Sequence, residues 1–184
     1  MKLKQLLPEL IAEFGKVISF RLDFSYHRPM KSGLHVGLLI DHVNHEVDLL
    51  SFLFGWVPFQ ATRLFDNQTR YEVSGIRDDG ISFWFSGTRM LDDCIYPEFV
   101  SVRLERGEMR IDTYTGGVSI YPHGKKPYDL KEEFRTDYPM RFQFVNDNFV
   151  SAVLRRGNSY LTEAALLQNT LAGIVLTEKG HFCG

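Results

Sequence analysis

Asp41, His45 and Asp48 recur at steps of four and three residues. Those steps put all three on one stripe of a helix. An imidazole flanked by carboxylates is favoured in its protonated form, and a carboxylate hydrogen bond can fix its tautomer. Such a group suits general acid–base work on a hydroxyl or carbonyl. The same stripe also reads as the polar side of an amphipathic helix, since Val43, Val47, Leu50 and Phe54 supply an apolar side. His42 and His45, with Glu46 beside them, raise the question of a metal. HExxH is absent and no third ligand follows at a typical spacing, so no metal is expected.

Three other residues could meet a substrate. Tyr26 and Arg28 stand where an alternating strand runs into the turn at Pro29, and Tyr96 precedes a strand beginning near Pro97. Hydroxyls of a small molecule could be bound there, and an ordinary strand end or a packed tyrosine is the competing reading. Neither GxGxxG nor a Walker-type GxxxxGK loop occurs, so the chain's own residues offer no dinucleotide or triphosphate cradle.

The elements that must position these groups follow from periodicity. Leu3, Leu6, Leu7, Leu10, Ile11 and Phe14 predict a short helix stopped by Gly15. Ile18, Phe20, Leu22, Phe24 and Tyr26 then alternate with Ser19, Arg21, Asp23, Ser25 and His27. One face of that strand is apolar and the other polar, as in a sheet covered on one side only. A second helix is predicted over about 38–54, ended by Gly55 and Pro58. Strands follow near 59–65, 70–76, 80–87, 97–106, 108–115 and 117–121, with turns at Asp79-Gly80, Arg106-Gly107 and Gly116-Gly117. The Pro- and charge-rich stretch 123–139 reads as a surface loop, and helices over about 138–156 and 161–179 close the chain. Grouped strands with helices before and after predict an α+β fold: one domain over 1–184, a predominantly antiparallel open sheet with helices packed on one face.

A formal net charge of −2 gives no handle on nucleic acid or an anionic membrane. Cys94 and Cys183 form no ligand spacing, no run reaches a membrane span, and the opening residues lack an apolar signal-peptide core, so no signal peptide is expected. A cytoplasmic protein with free thiols is expected. Trp84 and Phe99 fall on the less apolar faces of their strands. A polar sheet face with embedded aromatics resembles an interface core, so a homo-oligomer through that open face is expected.

The segment Gly37-Leu-Leu-Ile-Asp41-His-Val-Asn-His45-Glu-Val-Asp48, followed by Phe54-Gly55, resembles the Gfo/Idh/MocA oxidoreductases. The helix running into Gly15-Lys-Val-Ile-Ser-Phe20, and the closing helices, are similar to that family's C-terminal domain. The resemblance covers nearly the whole chain. It implies a substrate-side domain of an NAD(P)-dependent enzyme acting on a sugar, polyol or related hydroxy compound. By position, Asp41 and His45 become the residues beside the substrate, with His45 the proton acceptor or donor and Asp48 structural. Val43 stands where the motif usually has glycine. The family's nucleotide-binding Rossmann domain and its Glu-Lys-Pro motif have no counterpart in these residues. NAD or NADP is therefore expected only with a Rossmann partner domain, and none with this chain alone. A non-catalytic binding or assembly module that keeps the fold is the alternative, and a cofactor-independent isomerase or lyase is a third reading.

Overall fold

The computed structural model describes residues 2–27, 37–67, 69–90, 99–112, 116–130, 154 and 163–184. Helix α1 (Lys2–Phe14) ends at Gly15, whose φ of 87° lets the chain turn directly into strand β1 (Val17–His27). Helix α2 (Leu38–Phe54) follows, then β2 (Phe59–Asp66), β3 (Arg70–Arg77) and β4 (Ser82–Met90). Strands β5 (Phe99–Leu104), β6 (Gly107–Asp112), β7 (Val118–Pro122) and β8 (Tyr128–Leu130) form a meander. Helix α3 (Glu163–Lys179) and strand β9 (His181–Cys183) complete the chain. The nine strands make one open sheet in the order β8-β7-β6-β5-β1-β4-β3-β2-β9, as the α+β reading predicts. Among the described residues no helix is long and apolar enough to cross a membrane.

Alternation decides which face is covered. Phe20 and Leu22 of β1, Phe83 and Phe85 of β4, Tyr71 and Val73 of β3, and Val100, Val102 and Leu104 of β5 are all buried. Leu7, Leu10 and Phe14 of α1, the Val43–Val47–Leu50 stripe of α2, and Ala172 and Leu176 of α3 join them in a single core. An aromatic spine crosses this layer. Phe182 meets Phe59 at 5.0 Å, Phe59 meets Phe83 at 5.6 Å, and Phe83 stacks on Phe85 at 4.9 Å. Phe85 meets Phe20 edge-on at 6.2 Å, and Phe20 meets Phe54 of α2 at 5.6 Å. Each such pair adds roughly 0.5–1.5 kcal/mol beyond its area burial.

Local structure departs from the sequence reading at Ile18 and at 128–130, and adds a parallel pair and a short edge strand. β1 and β4 run parallel, from Ser19 beside Ser82 to His27 beside Met90, because α2 and the β2–β3 hairpin carry the chain back before β4 is laid down. A register shift between Val17 and Ser19 turns Ile18 outward, 43% exposed, and packs Val17 on the core instead. Within the expected loop at 123–139, Tyr128–Leu130 pairs with β7 as β8, aided by Ser119 Oγ donating to Asp129 Oδ1 at 2.6 Å. A three-residue edge strand needs only one partner and leaves little periodic signal. β9, also three residues long, extends the other edge by pairing with β2. The helix expected over 138–156 lies outside the described residues apart from 154.

Two arginines, Arg77 buried and Arg63 half-buried, fix helix ends. Arg77 Nη1 donates to the carbonyl of Gly55 at 2.8 Å and Nη2 to that of Phe54 at 3.2 Å, while Asp79 receives Nε at 3.0 Å and Nη2 at 2.6 Å. Arg63 Nη1 donates to the carbonyl of Thr177 at 2.6 Å near the end of α3. Both meet otherwise orphaned C-terminal carbonyls with a cation. The Arg77 side chain is only 1% exposed. Arg77→Ala should therefore lower unfolding free energy in urea by roughly 2–4 kcal/mol, the range for removing one partner of a buried charged network. Arg77→Lys should recover part of it.

Candidate functional site

Helix α2 runs antiparallel to β1 and β4. Its C-terminal Phe54 meets Phe20, whereas His42, three turns earlier, lies 4.6 Å from the ring of Phe24. The N-terminal turns of α2 therefore stand over the C-terminal ends of the parallel pair β1 and β4. Strand ends and a helix start converge here, as in many ligand clefts.

Asp41 lies in the first turn of α2 and His45 one turn later, where the imidazole is exposed. The His42 and His45 rings approach edge to face at 6.2 Å, so Phe24, His42 and His45 form a row from the covered sheet face to solvent. The backbone N–H of His45 also meets Asn44 Oδ1 at 3.0 Å. Asp48 is half-buried on the following turn. Tyr26 is the penultimate residue of β1, and its backbone pairs with Arg89 of β4 at the same end of the sheet. The side chains of Asp41 and Tyr26, and all of Arg28 and Tyr96, lie outside the described residues.

Glu46 behaves differently from its neighbours. It is 3% exposed and points to the sheet, where the Tyr71 hydroxyl donates to Oε1 at 2.5 Å. Its second oxygen is buried with no hydrogen-bond partner. Burial pushes the carboxyl up to about 8; the Tyr71 hydrogen bond pulls the other way, and the negative charge of Asp23 beyond β1 adds a smaller push. Room for the tyrosine comes from β4, since Gly87 is the register partner of Tyr71. A Cβ there would sit 2.1 Å from Tyr71 Cε1.

The chain thus carries an exposed acid–base candidate on one stripe of α2 and a buried carboxyl–phenol pair on another. Glu46 was legible as an oddity, because it falls three residues after Val43 and four before Leu50, on the buried stripe. Tyr71 and Gly87 have no such signal; only strand register brings them together.

No family model and no curated protein matches the chain. Solved structures do. An NAD-binding oxidoreductase from Klebsiella pneumoniae aligns with a TM-score of 0.72 at 13% identity, over 99% of this chain and 62% of its own. UDP-N-acetylglucosamine 3-dehydrogenase from Acidithiobacillus ferrooxidans aligns at 0.67 and 15%, over 94% and 57%. Levoglucosan dehydrogenase, solved with NADH and levoglucosan, aligns at 0.69 and 12%, over 97% and 60%. The likeness is one of fold. The chain spans less than two thirds of the length of each of these structures.

The Tyr71–Gly87 contact makes a direct prediction. Gly87→Ala should displace the ring and break its hydrogen bond to Glu46, destabilising the protein by about 1–3 kcal/mol, as overpacking does. In a Tyr71→Val background the same substitution should cost little. Thermal denaturation of the four proteins in that cycle should give a coupling of at least about 1 kcal/mol.

Proposed function

We propose that this chain is the substrate-side domain of an NAD(P)-dependent oxidoreductase acting on a sugar, a polyol or a related hydroxy compound. The supporting observation is the exposed His45 on the turn of α2 above the C-terminal ends of β1 and β4, with Asp41 one helical turn before it. The fold likeness to dehydrogenases of sugars supports the substrate class. In this reading His45 takes the proton from a substrate hydroxyl, or returns it to a carbonyl, and Asp41 sets the imidazole's tautomer or holds a neighbouring hydroxyl. Tyr26, Arg28 and Tyr96 are proposed to line the same cleft.

The described residues do not suit a dinucleotide. The sequence carries neither a GxGxxG nor a GxxxxGK loop, the glycine-rich patterns that cradle a dinucleotide's phosphates. The nicotinamide is therefore assigned to a nucleotide-binding domain in the same polypeptide or in a partner chain, and hydride transfer belongs there. This chain orients the hydroxyl compound, shields it and moves its proton.

The test is reconstitution with a nucleotide-binding domain from the natural gene or its neighbourhood, followed by NAD(P)H absorbance across a panel of sugars and polyols. His45→Asn should lower kcat by about 10²–10⁴-fold, the span usual for a lost acid–base group, with little change in stability. Turnover that survives His45→Asn and Asp41→Asn together would refute the assignment.

A second reading, assembly through the open sheet face, is supported by a separate observation. The Arg21 guanidinium lies 5.4 Å from the Phe99 ring, and Arg110 lies 5.1 Å from Phe99 and 5.5 Å from Tyr121. Arginine interleaved with aromatic rings is the composition of interface cores. We propose that a second copy of this chain covers this face, with Trp84 of β4 near its centre. Light scattering at micromolar concentration should give at least twice 21.3 kDa. Trp84→Glu should return the mass to that of the monomer; a monomeric wild type would reject the proposal.

A further inference from the structure

We infer that Glu46 and Tyr71 form a pH-sensitive latch that seats α2 on the sheet, closed while the Glu46 carboxyl keeps its proton and released when it ionises.

The geometry carries this. Glu46 lies on the sheet-facing stripe of α2, between Val43 and Val47, which are 0% and 1% exposed. Its only hydrogen bond among the described residues is the one from Tyr71, and its other oxygen is sealed from solvent without a partner. A neutral carboxyl tolerates such a site at modest cost. An ionised one needs several donors or a counter-charge.

Among the described residues, no hydrogen bond or ion pair beyond the one from Tyr71 reaches the Glu46 carboxyl. From α2 itself His42 stands one turn earlier, with its ring against Phe24. β3 offers the Tyr71 phenol. β4 offers Gly87, which has no side chain, and Arg89 stands two residues further along the same face. β1 contributes Asp23 on the opposite face, where its carboxylate accepts hydrogen bonds from Arg21 and Ser86 and repels a second negative charge. α3 approaches α2 at Gly173, where an added Cβ would lie 3.3 Å from Val43, and Ala172 and Leu176 beside it are uncharged. No ion pair reaches Glu46 from the described residues.

Ionisation therefore pushes the carboxylate toward water, which it can reach only if this turn of α2 lifts or rotates. Asp41 and His45 ride on the same helix, so their stripe moves with it. The inference concerns the seating of α2 and holds whether or not that stripe is catalytic.

The sign is set by the raised proton affinity of the folded state. The carboxyl's stabilising contribution is complete below its ordinary value of 4.5, falls as pH rises, and is gone above about 8. Wild-type protein labelled at glutamate Cδ, titrated by NMR from pH 5 to 9.5, should show one carboxyl with a midpoint near 8 that disappears in Glu46→Gln. Hydrogen exchange corrected for intrinsic rates should show the α2 amides losing at least tenfold protection above that midpoint. In Glu46→Gln their protection should stay level. Tyr71→Phe removes the hydrogen bond that favours the charged form, so its midpoint should move higher, which a merely packing role for the tyrosine would not produce. Titration of every glutamate in the ordinary carboxylate range would overturn the inference. So would an equal pH-dependent loss of α2 protection in Glu46→Gln. Should Glu46→Gln fail to fold, the wild-type titration and the direction of the Tyr71→Phe shift still decide it.

Discussion

Tyr71 reaches Glu46 only because β4 has no side chain at Gly87, and that contact adds a polar anchor to the apolar seat of α2. The ring lies across its register partner, so β3 and β4 cannot slip by a residue without driving it into a Cβ. The same device recurs in the opposite direction four residues away. Phe83 of β4 covers Gly75 of β3, where a Cβ would come within 2.2 Å of Phe83 Cζ, and its ring continues to Phe59 of β2. Two aromatic–glycine pairs thus pin the middle of the sheet from both strands. They leave the covered face low at two points, and α2 settles over one of them.

The ends of the helices are sorted by charge. Arg77 and Arg63 meet the C-terminal carbonyls of α2 and α3, the negative ends of those dipoles. The N-terminal turns of α2 stand at the other end of β1 and β4, where Asp41 suits the positive end of the helix. Helix polarity and the parallel pair β1–β4 together distinguish the Arg77-capped end of α2 from the end that stands over the strand C-termini.

The two faces of the sheet also differ in kind. The covered face is hydrocarbon and aromatic, interrupted by the Glu46–Tyr71 pair and by Arg89. The open face carries Arg21, Asp23, Glu108 and Arg110, laced around Phe99, Trp84 and Tyr121. Guanidinium groups over rings keep that apolar surface wettable while leaving it well suited to close contact with a matching surface.

Much of this was written in the sequence. The alternation of β1, the 3.6-residue stripes of α1 and α2, and the glycines at 15, 55 and 180 that end helices act over a few residues, so residue type and spacing alone determine them. The placement of Asp41 and His45 on one helical stripe is local in the same sense. The parallel pairing of β1 with β4, the short edge strands β8 and β9, and the outward turn of Ile18 depend on which strands become neighbours, which a single segment does not encode. The sequence places Glu46 on the apolar stripe of its helix, and only the tertiary structure supplies its partner. Tyr71 lies 25 residues away, and its ring fits because a glycine in yet another strand lies beneath it. Burial sets the protonation of Glu46, and burial is a property of the assembled core.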